Sequence, residues 1–331
     1  MKIVIMAGGY ATRLWPITRK RSKSLLPIGK ETIIDHVYSK IAKFNLPVIV
    51  STNQIFEEDF KKWAKNKGIQ VIAEKTTKEE EKLGAVKALG QLYEILNDDI
   101  FLIAGDNLFT FGLEQFYEYF KKNKKPLTAL YDVKAEYLAK RYGIAELEED
   151  KIVKFHEKSD NPPSTLAGMG IYILPRKSLN ILLEYIEKGR NVDNLGDYIS
   201  YLAEKDEIYA FPCHEGLWHD IGKPDSYLES LSIYMKNYIG NIEIDENSKI
   251  IEPVVIKDNS KIINNSIIGP NVYIGENCTI DNSKISNSVI FDNSSILNSQ
   301  INKSILDSHC SINDNKLKDS VLGEYSKINE H

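Results

Sequence analysis

Arg13, Arg19, Lys20, Arg21 and Lys23 crowd just behind a Gly8-Gly9 pair in the opening stretch MKIVIMAGGYATRLWPITRKRSK. The apolar run before the glycines reads as a buried parallel strand, and a glycine pair lets the backbone leave it with unusual dihedrals. Phosphate-binding turns begin this way. Neither the dinucleotide pattern G-x-G-x-x-G nor the P-loop G-x-x-x-x-G-K-[ST] fits, because the next glycine is Gly29. Backbone N–H groups near Gly8 and Gly9 would therefore share an anion with Arg13 and Lys23. A plain strand-to-helix turn with solvated basic residues fits the same spacing, and Arg19, Lys20 and Arg21 read as solvated.

Two acids stand where a cation would be useful. Asp106 follows an apolar run in IAGDN, and Asp220 lies in GLWHDIGKP. Mg²⁺ takes carboxylate oxygens together with phosphate oxygens and water, so two acids at separate strand ends suit one held against a nucleotide. Each Gly-Asp or strand-end Asp also suits a turn with a helix-capping carboxylate. Glu157 and Lys158 close KIVKFHEK and set an acceptor beside a cation. That pair suits sugar hydroxyls and a phosphate, or a solvated surface ion pair.

The elements that must position these groups are legible up to about residue 235. PVIVST (47–52), DDIFLIAGDN (98–107) and PLTALYDV (126–133) read as strands, and residues 32–44, 56–66 and 84–96 carry apolar residues at helical spacing. Alternation of this kind is that of a doubly wound α/β domain, whose ligands sit beyond the carboxyl ends of the strands. YGIAELEE, KIVKFHEK and GMGIYILP are expected to form an antiparallel lobe beside the main sheet.

Beyond Gly240 the composition shifts to Ser, Asn, Ile and Asp. Ile250, Ile256, Ile262, Ile268, Ile274 and Ile280 recur every six residues, and the series continues at five or six through Ile285, Ile290, Ile296, Ile301, Leu306, Ile312, Leu317, Leu322 and Ile328. Two positions earlier stands a small residue nearly every time, among them Ser260, Cys278, Ser283 and Cys310. This is the pattern of a parallel β-helix with aliphatics stacked inside and small residues at the corners. The expected domains are 1–235, catalytic, and 241–331, solenoid.

Composition narrows the function. The chain has 331 residues, and its 42 Lys and Arg against 47 Asp and Glu give a net charge of −5, which argues against a general nucleic-acid or acidic-membrane binder. Cys213, Cys278 and Cys310 are few and widely spaced, with no C-x-x-C, so neither a zinc site nor a disulfide framework is indicated and a reducing cytoplasm is expected. No apolar run approaches the ~18 residues of a membrane span.

The motifs GGYATRL, KSLLPI, KLGAV, GDN, RYGIAEL, FHEKS, MGIYIL and GLWHDIGKP, in this order, resemble those of the sugar-1-phosphate nucleotidylyltransferases. Members of that family have a Rossmann-like catalytic domain, and many carry a left-handed β-helix after it. The resemblance implies Mg²⁺-dependent attack of a hexose 1-phosphate oxygen on the NTP α-phosphorus, with pyrophosphate expelled. It places Arg13 on the triphosphate, Lys23 on the α-phosphate, Asp106 and Asp220 on the metal, and Lys158 on the sugar phosphate. Glu157, Gly143 and Gly170 would meet the sugar. Ala7, Gly8, Gly9 and Gly84 would meet the nucleotide, with Glu74 a further candidate for reading the base. The chain departs from the family at Ala11, where Gly is usual, at Ser22, where Pro is, and near Val86, where a small residue is. Gly168 replaces the Asn often found in members that select N-acetylglucosamine 1-phosphate, which points to an unsubstituted hexose.

The expected pairing is glucose 1-phosphate with dTTP or UTP, with mannose-1-phosphate guanylyl transfer and glucose-1-phosphate adenylyl transfer as alternatives. A non-catalytic regulatory subunit of the same plan is a rival reading, opposed by the joint presence of Arg13, Lys23, Asp106 and Asp220. Acyl transfer on the solenoid would need a basic histidine, for which His309 is the internal candidate. The solenoid's flat faces and edges are expected to mediate homo-oligomerisation.

Overall fold

The computed structural model describes residues 1–329; residues 330–331, the last two of the expected solenoid domain, lie outside the described residues. The chain divides into two compact units. One comprises Met1–Gly9 and His36–Trp218, the other Tyr10–Asp35 and the chain from His219 onward.

The first unit is built on one nine-stranded sheet. Its strands are β1 (Lys2–Met6), β2 (Val48–Asn53), β3 (Gln70–Glu74), β4 (Ile100–Ala104), β5 (Leu127–Asp132), β6 (Gly143–Glu148), β7 (Lys151–Glu157), β8 (Leu166–Leu174) and β9 (Tyr209–Cys213). They lie in the order β3-β2-β1-β4-β8-β5-β9-β7-β6. β1 runs parallel to β2 and to β4, and β2 parallel to β3. The chain winds outward from β1 to β3 and then returns to the other side of β1, so the carboxyl ends of β1 and β4 flank a topological switch point. Gly8-Gly9 and Asp106 follow those two strands directly.

The three strands expected to form an antiparallel lobe do pair antiparallel, β6 with β7 and, at Ala167 opposite Ile144, with β8, but they are continuous with the main sheet instead of standing beside it. β8 is inserted antiparallel between β4 and β5 of the main sheet, and β6 and β7 extend the same sheet at its far edge. The physical reason lies in β8 itself. Its second half, Ile171–Leu174, is buried, as suits a central strand covered on both faces, whereas β7, between β9 and β6, fully buries only Ile152 and Phe155.

Both faces of the sheet are covered. Val4, Leu102 and Tyr172 pack in one core with Leu89, Leu182 and Tyr198, which come from the helices Ala85–Gln91, Arg176–Glu187 and Leu195–Ala203. On the other side Phe101, one residue before Leu102 and therefore on the opposite face, meets Phe116 with ring centroids 5.6 Å apart, and Phe116 meets Phe211 at the same separation. The helix expected over 84–96 is regular only through Gln91.

The second unit joins the loop Tyr10–Asp35, the helix Pro224–Tyr234 and a left-handed parallel β-helix. Its short strands form three parallel sheets of six, six and five strands. The recurring aliphatics from Ile256 to Ile312 form one buried core, with Ile250, Leu317, Leu322 and Ile328 packed on it. The small residues do more than fill corners. The Ser266 hydroxyl accepts the backbone N–H of Ser283, that of Ser283 the N–H of Ser299, and that of Ser299 the N–H of Asn315. Each buried serine thus satisfies a donor one coil further on. The abundance of asparagine has its own cause. Asn277, Asn282, Asn293 and Asn298, with others, sit at corners with positive φ, where asparagine is the non-glycine residue of least strain. Their amides also ladder between coils, as from Asn282 to Asn298 at 2.8 Å.

Candidate functional site

The first unit presents two cavities. One, of about 260 Å³, is bordered by Gly8, Gly9, Glu74, Gly84, Lys82 and Asp193. β1 delivers the glycine pair and β2 fixes it. The Asn53 amide donates to the Gly8 carbonyl at 3.2 Å, while the Asn53 side-chain oxygen caps the N–H of Phe56. Any side chain at residue 8 would meet the Glu74 carboxylate, since a Cβ there would stand 2.8 Å from its Oε1. Gly84 has φ +82°, and a Cβ on it would come 2.4 Å from the Val192 carbonyl oxygen. These contacts explain why the motifs require glycine at these positions. Glu74 is buried, and that burial raises its carboxyl above the ordinary value against a hydrogen bond from the Leu83 backbone.

The second cavity, about 550 Å³, is bordered by Gly143, Glu157, Lys158, Gly168, Gly170 and Asp193, among others. Here β6 and β7 pair so that Gly143 lies opposite Glu157. A Cβ on Gly143 would stand 2.8 Å from Glu157 Oε2, so the glycine leaves the carboxylate its place. Lys158 donates to Glu157 Oε1 at 2.6 Å and holds a left-handed backbone with φ 47°. A lysine kept in that region is locally strained, and its own N–H bonded to the Tyr142 carbonyl holds it there. Gly168 has no room for a substituent, because a Cβ there would come 2.7 Å from Phe155 Cε1. Asp193 borders both cavities.

Asp106 is half-buried in the turn after β4, where the Gly105 N–H donates to the Met6 carbonyl and ties that turn to β1. The next residue, Asn107, anchors it. Its amide nitrogen donates to the Met169 carbonyl at 2.5 Å, and its oxygen accepts from the Trp218 indole at 3.0 Å.

The second unit gathers the other charged candidates. Lys23 donates to the Ile221 carbonyl at 2.8 Å and lies 4.0 Å from Asp220 Oδ1. Around Gly222, a Cβ would be 3.4 Å from Asp220 Oδ2 and 3.5 Å from Arg13 Nη2. Arg13 and Asp220 therefore flank one glycine and Lys23 reaches the carbonyl just before it, although almost two hundred residues separate the loop from the W-x-D-x-G motif. Ala11 has φ 49° and ψ 45°, the left-handed region in which the family's usual glycine would rest without strain.

Three basic residues read as solvated have partners. Arg19 lies over the Trp15 ring, Lys20 pairs with Glu324 at 2.7 Å, and Arg21 pairs with Asp307 at 3.2 Å. Sequence reasoning also gave no role to Asn53, Asn107, Asp193 or Gly222. The motifs G-D-N and W-x-D-x-G did contain two of them. His309 stacks on Tyr325, with centroids 4.7 Å apart and planes 8° apart, at a left-handed corner of the solenoid.

Among the described residues there is no cluster of three or more His, Cys, Asp or Glu side chains that would cage a metal by themselves. Asp106 in the first unit and Asp220 in the second are each single carboxylates, the donor type that Mg²⁺ takes together with phosphate and water.

A mixed α/β sheet with its glycine turn at the switch point, followed by a left-handed β-helix, defines the class. The family model for nucleotidyl transferases matches residues 2–237, and the chain belongs to that family. Residues 250–331 match the model described as the GMPPB C-terminal domain. The chain is 28% identical over 261 residues to the bifunctional protein GlmU of Methanocaldococcus jannaschii, covering 78% of this chain and 59% of that protein. It is 26% identical over 276 residues to the mannose-1-phosphate guanylyltransferase catalytic subunit beta of Xenopus tropicalis, covering 76% of this chain and 73% of the relative. The structure of a UDP-glucose pyrophosphorylase from Acinetobacter baumanii shares the fold, with a TM-score of 0.58 at 19% identity, over 70% of this chain and 92% of that one.

Proposed function

We propose that the protein transfers a nucleotidyl group from an NTP to a hexose 1-phosphate, giving an NDP-sugar and pyrophosphate, with residues 1–235 as the catalytic domain and 241–331 as the β-helix domain. The observation that carries this is the pair of neighbouring cavities in the first unit. One is floored by Gly8 and Gly84 and the other is bordered by Glu157 and Lys158, with Asp193 at the edge of both. A planar base approaches backbone closely in the first, and hydroxyls and a phosphate find an acceptor and a cation in the second.

Arg13 grips the triphosphate and stabilises the leaving pyrophosphate through its fork of donors. Lys23 neutralises the α-phosphate as the new bond forms, and Lys158 holds the sugar phosphate that attacks. Asp106 and Asp220 would hold Mg²⁺, which when bound neutralises phosphate charge. Glu157 and the backbone at Gly143 and Gly170 orient the sugar, and Ala7, Gly8, Gly9 and Gly84 orient the nucleotide. Positioning and charge neutralisation suffice, and no covalent enzyme intermediate is needed.

The Phe155 ring beside Gly168 supports an unsubstituted hexose, and the motif resemblance favours glucose 1-phosphate with dTTP or UTP. A second reading has an observation of its own. The Glu74 carboxylate borders the nucleotide cavity, and its two acceptor oxygens suit the adjacent N1–H and N2–H groups of guanine, whereas thymine and uracil offer one N–H between two carbonyls. Mannose-1-phosphate guanylyl transfer is therefore the alternative that the cavity supports. No helix among the described residues is long and apolar enough to cross a membrane, and the three cysteines are free thiols, which supports a reducing cytoplasm. The β-helix is proposed to mediate homo-oligomerisation. The test is a matrix of NTPs against sugar 1-phosphates, read by pyrophosphate release with Asp106→Ala as control. Turnover by no pair, or turnover unchanged by that substitution, overturns the proposal.

A further inference from the structure

Each turn of the solenoid passes a corner directly after the strand that ends in Ile256, Ile274, Ile290, Leu306 or Leu322. The corner residues are Lys257, Gly275, Phe291, Asp307 and Gly323, and backbone bonds stack them. The N–H of Lys257 reaches the Ile274 carbonyl, that of Gly275 the Ile290 carbonyl, that of Phe291 the Leu306 carbonyl, and that of Asp307 the Leu322 carbonyl. The inward columns of the solenoid keep one chemical class, aliphatic in the core and small beside it. This column does not repeat, and its irregular members meet the loop Tyr10–Asp35 of the same unit.

The contacts centre on Arg21. Its guanidinium reaches Asp307 Oδ1 at 3.2 Å and the Ser308 hydroxyl at 3.3 Å, and lies 4.1 Å from the centre of the Phe291 ring. All three partners are buried, and the Ser308 N–H fixes the Asp307 carboxylate at 2.8 Å. Further along, Lys20 pairs with Glu324, and Gly323 admits Pro16, whose Cβ would lie 3.1 Å from a Cβ on that glycine. At the column's other end Lys257 donates to the Lys30 carbonyl at 2.8 Å. Two residues after Arg21 comes Lys23, with buried Ser22 between them accepting the N–H of Leu25.

Resting on the function proposed above, we propose that Asp307, Ser308 and Phe291 are positioning residues for nucleotidyl transfer: they hold Arg21 and thereby set Lys23 on the reacting phosphate. The solenoid is then the template on which the phosphate-gripping loop is shaped. Misplacing a reacting group by an ångström costs up to about a hundredfold in rate. Asp307→Asn keeps the shape of the clamp and removes its charge, so kcat should fall roughly tenfold, with KM for NTP and sugar 1-phosphate changing less than about twofold, because Lys23 acts as the bond forms.

The experiment combines kinetics with hydrogen exchange on the full chain. In Asp307→Asn, amides bonded within the loop, such as those of Leu14, Ile17 and Leu25, should exchange about tenfold faster than in the unmodified protein, with β1–β4 unchanged. Arg21→Gln should reproduce this, and the double variant should add little, since each change breaks the same contact. Glu243→Gln, which removes an exposed solenoid ion pair with Lys261, serves as control and should alter neither readout. Faster loop exchange with kcat unchanged overturns the positioning role. Unchanged loop exchange overturns the template as well. Absence of turnover in the unmodified protein overturns the proposed function and with it the positioning role, whatever the exchange data show.

Discussion

Replacing Gly84 by alanine separates two costs that the structure combines at one residue. The first is backbone strain. At φ +82° and ψ 152° the position lies in a region open almost only to glycine, and a side chain there costs about 1–3 kcal/mol. The second is contact. The added Cβ would fall 2.4 Å from the Val192 oxygen and 2.7 Å from Asp193 Oδ1, so the 192–193 segment must move. That oxygen accepts the N–H of buried Val86 at 2.9 Å, and losing a buried partner costs about 1–3 kcal/mol more. With the two together taken as about 4 kcal/mol, Tm should drop by roughly 8–16 °C at 2–4 °C per kcal/mol for a unit of this size.

Gly68 provides the comparison, because it has φ +67° but nothing within 4 Å of an added methyl. Gly68→Ala should lose only the backbone cost, about half as much. Thermal unfolding of the two variants, with and without saturating NTP, measures the difference. Gly84→Ala should also lose most of its stabilisation by NTP, since Asp193 borders the cavity proposed for the nucleotide. Equal losses of Tm in the two variants would show that contact with Val192 contributes nothing, and the account of Gly84 would fail.

Glu74 carries a signed pH prediction. Burial raises its carboxyl in the folded state, so between the ordinary carboxylate value and the raised one the folded chain binds a proton that the unfolded chain has released. Its contribution therefore falls as pH rises through that window, and Glu74→Gln should gain stability relative to the unmodified protein over the same window. A pH-independent difference in Tm would contradict this. If guanine is the base, the same substitution should cut its preference over uracil at least tenfold in the substrate matrix. Ser283→Ala should destabilise by about 1–3 kcal/mol, because the N–H of Ser299 loses its acceptor inside the solenoid, while Ser283→Cys should be milder, cysteine already standing at positions 278 and 310; chemical denaturation compares them. Ala11→Gly should be neutral to stabilising by about 1 kcal/mol, relief of the left-handed alanine being partly offset by added freedom in the unfolded chain. Thermal unfolding checks it, and a loss of stability would contradict the strain.

Much of this was legible in the sequence because the signals were local. Periodicity placed most of the aliphatics of the solenoid core, from Ile250 to Ile328, since a five- or six-residue repeat has no other way to bury them; Val254 and Val272 join the same core outside that series. The glycine pair after β1 pointed to the first cavity, while the glycines of the second were named only through the family motifs. What local patterns could not carry was pairing. β8 reads as a short apolar strand whether it joins a side lobe or the centre of the sheet, and only its antiparallel neighbours β4 and β5 decide. Asn53, Asn107 and Asp193 act on carbonyls or cavities far along the chain, and an isolated Asn or Asp in sequence reads first as a turn residue.

The same limit explains the basic loop. Charge density near Gly8-Gly9 drew attention to all five cations, and motif spacing singled out Arg13 and Lys23. Arg19, Lys20 and Arg21 read as solvated because a cation's partner is invisible until the chain folds back on itself. For Lys20 and Arg21 those partners are Glu324 and Asp307, about three hundred residues away. A trace of the pairing was nonetheless present. After the strand-ending aliphatics at 290 and 306 come Phe291 and Asp307, buried residues that do not belong to the solenoid's own core. A buried aromatic ring and a buried carboxylate outside that core need partners, and here both meet Arg21, on the loop that also carries Arg13 and Lys23.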